Sequence, residues 1–308
     1  MITIIFSTHN GSKTLPTMLE AIKKLSWSFD ELKIIAVDNA STDNTVNILN
    51  SYVSQLPLQV ISCPERGKNK ALNTALPLIE GELVIFTDDD VIPKEDWLIQ
   101  LTSAANQQQE YDIFGGKISP QWPYEPPKWI LESVPLGMTF AITDENLPKG
   151  PIDPGSIWGS NMMCRSQIFF NGNRFNENVG PSQGNYIMGS ETEFTIRMSQ
   201  LGSKCYFVPT AEVKHIIREN QLTRKWLLNR SLRSGKSNFL KHRHHSSFTN
   251  SKQTFGLPRW MLIQGITNYF KSILHGSWIG TEKSFRYQWK FYQFLGYFIQ
   301  SRHSKFHE

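Results

Sequence analysis

The sequence contains little cysteine, with three residues in a chain of 308: Cys63, Cys164 and Cys205. They are far apart, odd in number and without the spacing of metal ligands. We therefore expect neither a disulfide framework nor a zinc site. The pattern is typical of buried thiols in a reducing cytoplasm, which is the location we predict.

The sequence also lacks long apolar runs. No stretch approaches the ~18 apolar residues that would span a bilayer. The first apolar run has no basic segment before it and turns polar at Ser7. We therefore interpret it as a buried strand and not as a signal peptide. The length suits one large α/β domain with an appendage, or two small domains.

Acidic residues are scarce in the C-terminal part of the chain. Residues 1–217 contain 16 Lys and Arg against 24 Asp and Glu, whereas residues 218–308 contain 16 against 3. Such asymmetry indicates a basic region that faces an anionic surface, with a solvated basic face as the alternative. The region carries no nucleic-acid-binding motif, so we do not expect a nucleic acid as partner.

Residues 1–90 alternate short apolar segments with helical patterns. We predict strands at 2–7, 32–37, 58–62 and 83–87, with helices between them. This alternation indicates right-handed βαβ units and a mostly parallel sheet flanked by helices. Ligands of such sheets bind beyond the carboxyl ends of the strands, so the polar clusters that follow these strands should converge on one edge.

Residues 121–154 are rich in Pro, Trp and acidic residues and show little periodicity, so we predict a partly irregular segment with a short helix at 128–133. The later pattern predicts an ordered segment at 157–165, a helix at 190–201, strands at 205–208 and 213–217, and helices at 222–240, 258–274 and 282–300. We divide the chain into a domain of residues 1–245 and a basic, aromatic-rich helical extension of residues 246–308.

Three adjacent carboxylates, Asp88, Asp89 and Asp90, follow the fourth predicted strand. They repel one another, and a bound cation would resolve the repulsion. Oxygen ligands suit Mg²⁺ or Mn²⁺, and Mg²⁺ commonly combines one or two carboxylates with substrate phosphates. We expect Asp88 and Asp90 to take different tasks. A solvated acidic turn is the alternative.

Two further segments favour an anionic nucleotide as ligand. Asp38 ends the second predicted strand, where an acid can accept hydrogen bonds from a base or a ribose. A cap for the following helix is the alternative. Lys68 belongs to a cationic segment that begins the third predicted helix. The positive N-terminus of a helix suits a diphosphate, although an ordinary surface helix can begin in the same way.

Two carboxylates near the start of the helix at 190–201 suggest a catalytic acid or base. Glu191 and Glu193 are two residues apart, so they face different ways. One can act as general base for a hydroxyl while the other pairs with Arg197 at i+4; compensation of the helix dipole is the alternative. His215 follows a predicted strand. A lone histidine is usually structural, and its role as a ligand depends on a metal at the three aspartates.

Taken in order, these segments resemble family 2 glycosyltransferases, which have the GT-A fold. The resemblance covers about residues 2 to 235. It rests on the strand that ends at His215 and on six motifs: STHNG (7–11), VDNASTD (37–43), GKNKALN (67–73), FTDDD (86–90), GSNMMCR (159–165) and GSETEFTIR (189–197).

The resemblance implies roles for individual residues. Residues of the donor-nucleotide site, usually for uridine, would be Thr8, Asn10, Asp38, Lys68, Asp88 and Asp89. Asp88 and Asp90 match the D-x-D pair that contacts ribose and a metal-bound diphosphate, with Asp90 and His215 as ligands of Mn²⁺ or Mg²⁺. Glu191 falls at the position of the catalytic carboxylate. Candidates for the acceptor site are Trp158, Asn161 and Glu193.

Two segments depart from the family pattern. The family usually has Glu-Asp where this chain has Ser190-Glu191, so the base would be one methylene longer than the common Asp. The segment QLTRKW (221–226) only loosely resembles the QxxRW motif of processive synthases, because Lys225 intervenes. Without predicted membrane spans, we do not expect a processive polymerase.

The resemblance implies a metal-dependent inverting glycosyltransferase. It would move a sugar from a nucleotide-diphosphate donor, such as a UDP-sugar, to a glycan or lipid-linked acceptor in cell-surface polysaccharide or glycolipid synthesis. A nucleotidyltransferase of related fold is one alternative, but residues 8–13 lack its usual glycine-rich basic loop. A catalytically inactive sugar-nucleotide-binding module is the other, and the Ser190-Glu191 departure keeps this minor alternative open.

The last predicted helix, 282–300, carries aromatic residues along one side. A cationic, aromatic, amphipathic helix can lie in the membrane interface without spanning it. We therefore predict peripheral contact with the inner face of an anionic plasma membrane. The alternative is that this side packs on the catalytic domain or on a second subunit of a homo-oligomer.

Overall fold

The computed structural model describes residues 1–181, 186–242, 251–278 and 281–303. The chain forms two compact units. The first, the sheet unit, comprises Met1–Gln121 and Ala141–Ile216; the second, the helical unit, comprises Trp122–Phe140 and Ile217–Glu308. The domain boundary that we predicted between residues 245 and 246 lies outside the described residues.

The described part of the sheet unit contains a sheet of nine strands: β1 (Ile2–Thr8), β2 (Leu32–Asp38), β3 (Leu58–Ser62), β4 (Leu83–Asp88), β5 (Val91–Pro93), β6 (Ile113–Gln121), β7 (Gly150–Pro151), β8 (Asn161–Arg165) and β9 (Cys205–Ile216). Their order is β3-β2-β1-β4-β8-β6-β9-β5, and β7 pairs with β9.

The α-helices in the described residues are α1 (Leu15–Ile22), α2 (Thr45–Tyr52), α3 (Lys68–Ala75), α4 (Trp97–Gln107), α5 (Lys128–Ser133), α6 (Leu136–Phe140), α7 (Gln167–Phe170), α8 (Ser190–Gln200), α9 (Arg224–His242), α10 (Arg259–Trp278) and α11 (Thr281–His303). A small hairpin, β10 (Gln253–Thr254) and β11 (Leu257–Pro258), precedes α10.

The first four strands are parallel neighbours and apolar on both faces. Ile4 and Phe6 point into one core cluster, whereas Ile5 points into the other, as the two-residue period of a strand requires. Helices cover both faces, which confirms the predicted α/β class. Beyond β4 the sheet is mixed, because β8 runs antiparallel to both β4 and β6.

The strands predicted at 205–208 and 213–217 form one strand, β9. Its pairing with β6 shifts register between Gly116 and Lys117, where three residues of β9 bulge out of the ladder. A Cβ at Gly116 would lie 2.3 Å from both the Ala211 carbonyl oxygen and Asn161 Nδ2. Only glycine fits this close approach.

The helical unit is held together by a close crossing of α9 and α11. A Cβ at Gly235 would lie 1.9 Å from the Gln293 carbonyl oxygen, and one at Gly296 would lie 1.9 Å from the Leu232 carbonyl oxygen. The Ser231 hydroxyl donates a hydrogen bond of 2.6 Å to the carbonyl oxygen of Trp289. The two backbones therefore approach more closely than larger residues would permit.

The aromatic side of the last helix packs inside the helical unit and does not face outward. Phe285, Trp289 and Tyr297 are buried. The ring centroid of Phe285 lies 4.9 Å from that of Trp129, and the centroid of Tyr297 lies 5.3 Å from that of Phe239. The sequence-based expectation that this side faces a membrane is therefore corrected. None of the helices in the described ranges is both long and apolar enough to cross a bilayer.

Candidate functional site

The strand register brings the first polar clusters to one edge of the sheet. Thr8 of β1 is the partner of Asp38 on β2, and Ser7 is the partner of Asp88 on β4. Neighbouring strands lie about 4.8 Å apart. Residues from three separate motifs are therefore immediate neighbours at the carboxyl ends of parallel strands, where ligands of such sheets bind.

The three consecutive aspartates have three different partners. Asp88 accepts a hydrogen bond from the Lys68 ammonium group, and Asp89 accepts one from the Thr8 hydroxyl. Asp90 Oδ1 lies 3.4 Å from His215 Nε2. The chain turns away from β4 after Asp88, so the carboxylates point in different directions and their mutual repulsion is reduced.

Gly11 closes the loop after β1 against this edge. A Cβ at this position would lie 2.3 Å from Thr8 Oγ1 and 2.4 Å from Asp89 Oδ2. The Gly11 N–H donates to the Thr45 hydroxyl oxygen at 2.9 Å. Sequence reasoning treated Gly11 as part of a polar break, whereas the structure requires it for the contact between Thr8 and Asp89.

Asn10 joins the loops after β1 and β2. Its Oδ1 accepts from the Thr42 N–H at 2.8 Å, and its own N–H donates to the Ser41 hydroxyl oxygen at 3.0 Å. Asp38 is buried, and its Oδ1 accepts from the Ser41 N–H at 3.3 Å. The carboxylate of Asp38 is thus held in place at the edge next to Thr8.

Asn39 is a site-building residue that sequence reasoning missed. Its side-chain amide donates to the carbonyl oxygens of Cys63 and Glu65, and its Oδ1 accepts from the Gly67 N–H at 2.8 Å. It therefore fixes the chain that leads to Lys68. An Asn directly after a strand was the available signal, but its three partners are distant in sequence.

Lys68 is a cation placed between two carboxylates. Burial alone would lower the pKa of Lys68, but the charges of Asp88 and Glu191 outweigh it and raise the pKa above its ordinary value. Lys68 therefore stays protonated at neutral pH. Its position in the first turn of α3 adds its charge to the positive end of the helix.

Glu191 lies in the first turn of α8, next to the loop before β8. A Cβ at Gly159 would lie 3.3 Å from Glu191 Cβ, so the glycine leaves room for this side chain. The preceding residue, Ser190, donates its hydroxyl hydrogen to Asn69 Oδ1. This bond ties the start of α8 to the start of α3, so the elements that carry Glu191 and Lys68 are directly connected.

Glu193 faces another direction. Its Oε1 accepts from Arg197 Nε at 2.8 Å, which confirms the predicted i+4 pair. Arg197 also donates to the Arg174 carbonyl oxygen at 2.6 Å. These contacts give Glu193 a structural task, while Glu191 is the carboxylate that interacts with Lys68.

The other two candidates for the acceptor site differ in burial. Asn161 is fully buried; it accepts from Trp97 Nε1 at 2.9 Å and donates to the carbonyl oxygens of Lys117 and Ala211. Its amide is thus used inside the sheet unit. Trp158 is half-buried against the core and directly precedes Gly159, which leaves room for the Glu191 side chain.

The residues at the edge fit a divalent cation that shares its ligands with a substrate. Within the described ranges, no group of three or more His, Cys, Asp or Glu residues could hold a metal ion. Asp90 and His215 supply two side chains, each 12% exposed. Mg²⁺ and Mn²⁺ sites of this kind complete their coordination with substrate phosphates and water.

The model of the family described as glycosyl transferase family 2 matches residues 3–169. The chain belongs to this family. Its fold is the GT-A type, as two solved structures show. TarS residues 1–349 of Staphylococcus aureus, in complex with UDP-GlcNAc, is 16% identical with a TM-score of 0.57, and the match covers 92% of this chain and 89% of that one. The mannosyltransferase PcManGT of Pyrobaculum calidifontis, in complex with GDP-Man and Mn²⁺, is 19% identical with a TM-score of 0.59. The match covers 96% of this chain and 72% of that one.

Two curated relatives are similar in sequence. The poly(ribitol-phosphate) beta-N-acetylglucosaminyltransferase TarS of S. aureus is 36% identical over 95 residues, which are 30% of this chain and only 17% of TarS. The glucosyl-dolichyl phosphate glucuronosyltransferase of Haloferax volcanii is 20% identical over 216 residues, 69% of this chain and 68% of that protein.

Proposed function

We propose that the chain is a metal-dependent, inverting glycosyltransferase that uses a nucleotide-diphosphate sugar, specifically a UDP-sugar. One observation carries the proposal: the carboxyl edge of the sheet brings together Asp88, Asp90 and Lys68, and the charge of Glu191 acts on that lysine. The arrangement offers a cation, one carboxylate for the ribose, a second for the metal-bound diphosphate, and a separate base.

The donor would lie along the carboxyl edge. Thr8, Asn10 and Asp38 would hold the nucleoside, because they end or follow the two strands next to β4. Asp88 and Asp89 would contact the ribose. Lys68 and the N-terminus of α3 would face the diphosphate, since both are positive.

An anionic donor at this edge needs more positive charge than Lys68 supplies, because Asp38, Asp88, Asp89 and Asp90 all lie there. Asp90 and His215 would hold Mn²⁺ or Mg²⁺. The ion supplies Lewis acidity for the charge that develops on the leaving diphosphate. The Asp90 carboxylate is the kind of oxygen ligand that suits these two ions.

Glu191 would accept the proton of the acceptor hydroxyl. The oxygen then forms a bond to the anomeric carbon while the bond from that carbon to the diphosphate oxygen breaks, which inverts the configuration. A positioned general base typically contributes 10²–10⁴-fold to such a reaction. Trp158 directly precedes Gly159, the glycine that leaves room for Glu191, so it would contact the acceptor.

The acceptor would be a glycan or a lipid-linked glycan in cell-surface polysaccharide or glycolipid synthesis. The names of the two curated relatives support this class, since one acts on poly(ribitol-phosphate) and the other on a glucosyl-dolichyl phosphate. We place the enzyme in the cytoplasm, in peripheral contact with the inner face of the plasma membrane, where lipid-linked acceptors are assembled.

A panel of nucleotide sugars tests this proposal. We expect one UDP-sugar to raise the unfolding temperature in the presence of Mn²⁺, because a ligand of the native state stabilises it by mass action. The same compound should be hydrolysed slowly, and EDTA should abolish hydrolysis. Release of pyrophosphate from UTP and a sugar phosphate would indicate the nucleotidyltransferase. Stabilisation without turnover with any acceptor would indicate the inactive binding module.

A further inference from the structure

Helix α10 exposes a continuous apolar face. Its large apolar side chains that are 48% to 66% exposed are Trp260, Ile263, Ile266, Phe270, Ile273 and Leu274. At 100° per residue they fall within one half of the helix. We call this set the α10 face. A contiguous exposed patch of this kind marks an interaction surface, whereas single exposed apolar residues are ordinary.

The other side of α10 is already used. Gly265 and Asn268 are buried, and a Cβ at Gly265 would lie 2.4 Å from the ring of Phe294 on α11. Helix α10 therefore rests on α11 with one side and presents the α10 face on the opposite side. The exposure of this face follows from how α10 packs within its own unit.

The hairpin before α10 adds a strained aromatic residue. Phe255 has a φ of 54° and is 68% exposed, and Gly256 follows with a φ of 74°. Two-residue hairpin turns with positive φ at both positions favour Asn-Gly, so a bulky residue at the first position is strained. The ring stays mostly exposed, with the Arg302 guanidinium 5.9 Å from its centroid, so burial offsets little of this strain. An exposed aromatic side chain at a strained turn directly before the α10 face extends the same apolar surface.

The charge of the helical unit indicates which kind of partner the α10 face binds. The unit has 17 Lys and Arg against 5 Asp and Glu, and α10 itself has Arg259 and Lys271 but no acid. Two copies of such a surface would bring like charges together. An anionic bilayer instead offers both an apolar layer and opposite charge.

A cavity with both polar and apolar lining residues lies next to the α10 face. It has a volume of about 230 Å³, and α9, α10 and α11 line it. Its wall includes Asn268, which is 9% exposed. Lys290 lines it too, without an ion pair in the described part of the chain. Trp260 belongs both to this wall and to the α10 face. A phosphate headgroup offers hydrogen-bond acceptors to the Lys290 ammonium group and the Asn268 amide, whereas an apolar protein surface offers none.

We propose that the α10 face and Phe255 insert into the interface of an anionic bilayer, and that the cavity receives a lipid phosphate. The apolar side chains would contact the acyl chains of the lipids, while the charged groups of Arg259 and Lys271 would stay at the level of the lipid phosphates. This inference rests on the proposed function in one respect only, namely that the bilayer surface concerned is the inner face of the plasma membrane. The surface itself stands independently of glycosyl transfer.

Co-sedimentation of the full-length protein with vesicles tests the proposal. We expect binding to phosphatidylglycerol–phosphatidylcholine vesicles at low salt and weaker binding at high salt. The double variant Phe270→Ser with Leu274→Ser should bind at least about tenfold more weakly. The matched control is Phe170→Ser with Leu201→Ser in the sheet unit, where the two side chains are 57% and 70% exposed. It should bind as the unaltered protein does.

Further measurements separate the surface, the cavity and the catalytic site. Lys290→Gln should weaken binding to phosphatidylglycerol vesicles and leave binding to pure phosphatidylcholine unchanged. Asp90→Asn should still bind vesicles, and Phe270→Ser with Leu274→Ser should keep donor hydrolysis. The proposal is overturned if the full-length protein ignores anionic vesicles at low salt. It is equally overturned if the α10 variant converts a dimer to a monomer in sedimentation while vesicle binding persists. Unchanged binding in Lys290→Gln would remove the cavity from the proposal.

Discussion

His215 Nε2 lies 3.4 Å from Asp90 Oδ1, on a strand whose register pairs His215 with Val91. The residue after Asp90 thus holds the histidine in place by backbone pairing, and the Ile216 N–H donates to the Asp90 carbonyl oxygen at 2.8 Å. Two side chains more than one hundred residues apart in sequence are therefore fixed as a pair before any ligand binds.

Asp90→Asn tests the role of this pair. The substitution keeps the size of the side chain but removes its charge, so metal-dependent binding of the donor and sugar transfer should both be lost. Calorimetric titration of the donor with and without Mn²⁺ measures this directly. Asp30→Asn, an exposed acid on the same unit, is the control. Full transfer activity of Asp90→Asn, or activity that persists in EDTA, would contradict the metal assignment.

Glu191→Gln and Glu193→Gln form a matched pair for the base. Glu191→Gln should lower turnover by ~10²-fold or more, because the amide cannot take the proton, and leave donor affinity nearly unchanged. Glu193→Gln should lower only stability, by at most ~1 kcal/mol, because it weakens a partly exposed pair with Arg197. Steady-state rates and thermal unfolding separate the two effects. The reverse pattern would move the base to Glu193.

Lys68→Met tests the cation. Donor affinity should fall by about tenfold or more, since a charge-assisted contact to the diphosphate is lost. Lys68 has a raised pKa in the folded protein, so its ion pair stabilises the fold below the ordinary lysine pKa and is lost only as pH rises through the raised value. The difference in unfolding free energy between Lys68→Met and the unaltered protein should therefore stay constant from pH 7 to about pH 10. A difference that declines within this range would contradict the pKa direction.

Asn161→Ala separates a structural role from a role in acceptor binding. The substitution leaves the Trp97 N–H and two carbonyl oxygens without their partner inside the sheet unit. The unfolding free energy should fall by about 2–4 kcal/mol, as measured in denaturant, while donor hydrolysis per folded molecule is kept. An unchanged stability with a raised acceptor KM would instead support the acceptor role that the motif implies.

Gly235→Ala tests the crossing of α9 and α11. The new methyl group would overlap the Gln293 carbonyl oxygen, so the helices must separate, with a loss of about 1–3 kcal/mol or more. Asn229→Ala, at an exposed position of the same helix, should be neutral. Thermal unfolding of the full-length variants measures both. If Gly235→Ala is as stable as Asn229→Ala, the crossing is looser than the structure indicates.

The parallel half of the sheet could be predicted from sequence because each strand is a short apolar run that ends in polar residues. Strand β6 was missed because it contains Gly115, Gly116 and Pro120, which ordinarily count against a strand. The structure shows why one of these glycines is needed: Asn161 and the bulge of β9 occupy the space of its Cβ. A contact between distant segments has no local signal, so such a strand is hidden from sequence patterns.

The residues of the candidate site could be selected from the motifs, but their geometry could not. Sequence reasoning singled out the three aspartates, Lys68 and His215, yet it gave Asp89 no contact with Thr8. It also could not say which apolar helix stays exposed. Helices α10 and α11 are both rich in aromatic residues, and periodicity marks an apolar face without identifying what covers it. The last helix is packed inside the unit, whereas the face of α10 remains open.

Ser190 stands where the family usually has an acid, and its bond to Asn69 has a mechanical consequence. The Asn69 amide also donates to the carbonyl oxygens of Asn176 and Val179, so two helix starts and a loop form one hydrogen-bonded frame. Lys68 is the neighbour of Asn69, and Glu191 is the neighbour of Ser190. In the proposed reaction, the side chain that faces the diphosphate and the one that takes the proton would therefore be carried by a single hydrogen-bonded frame, so a change in the position of one would be transmitted to the other.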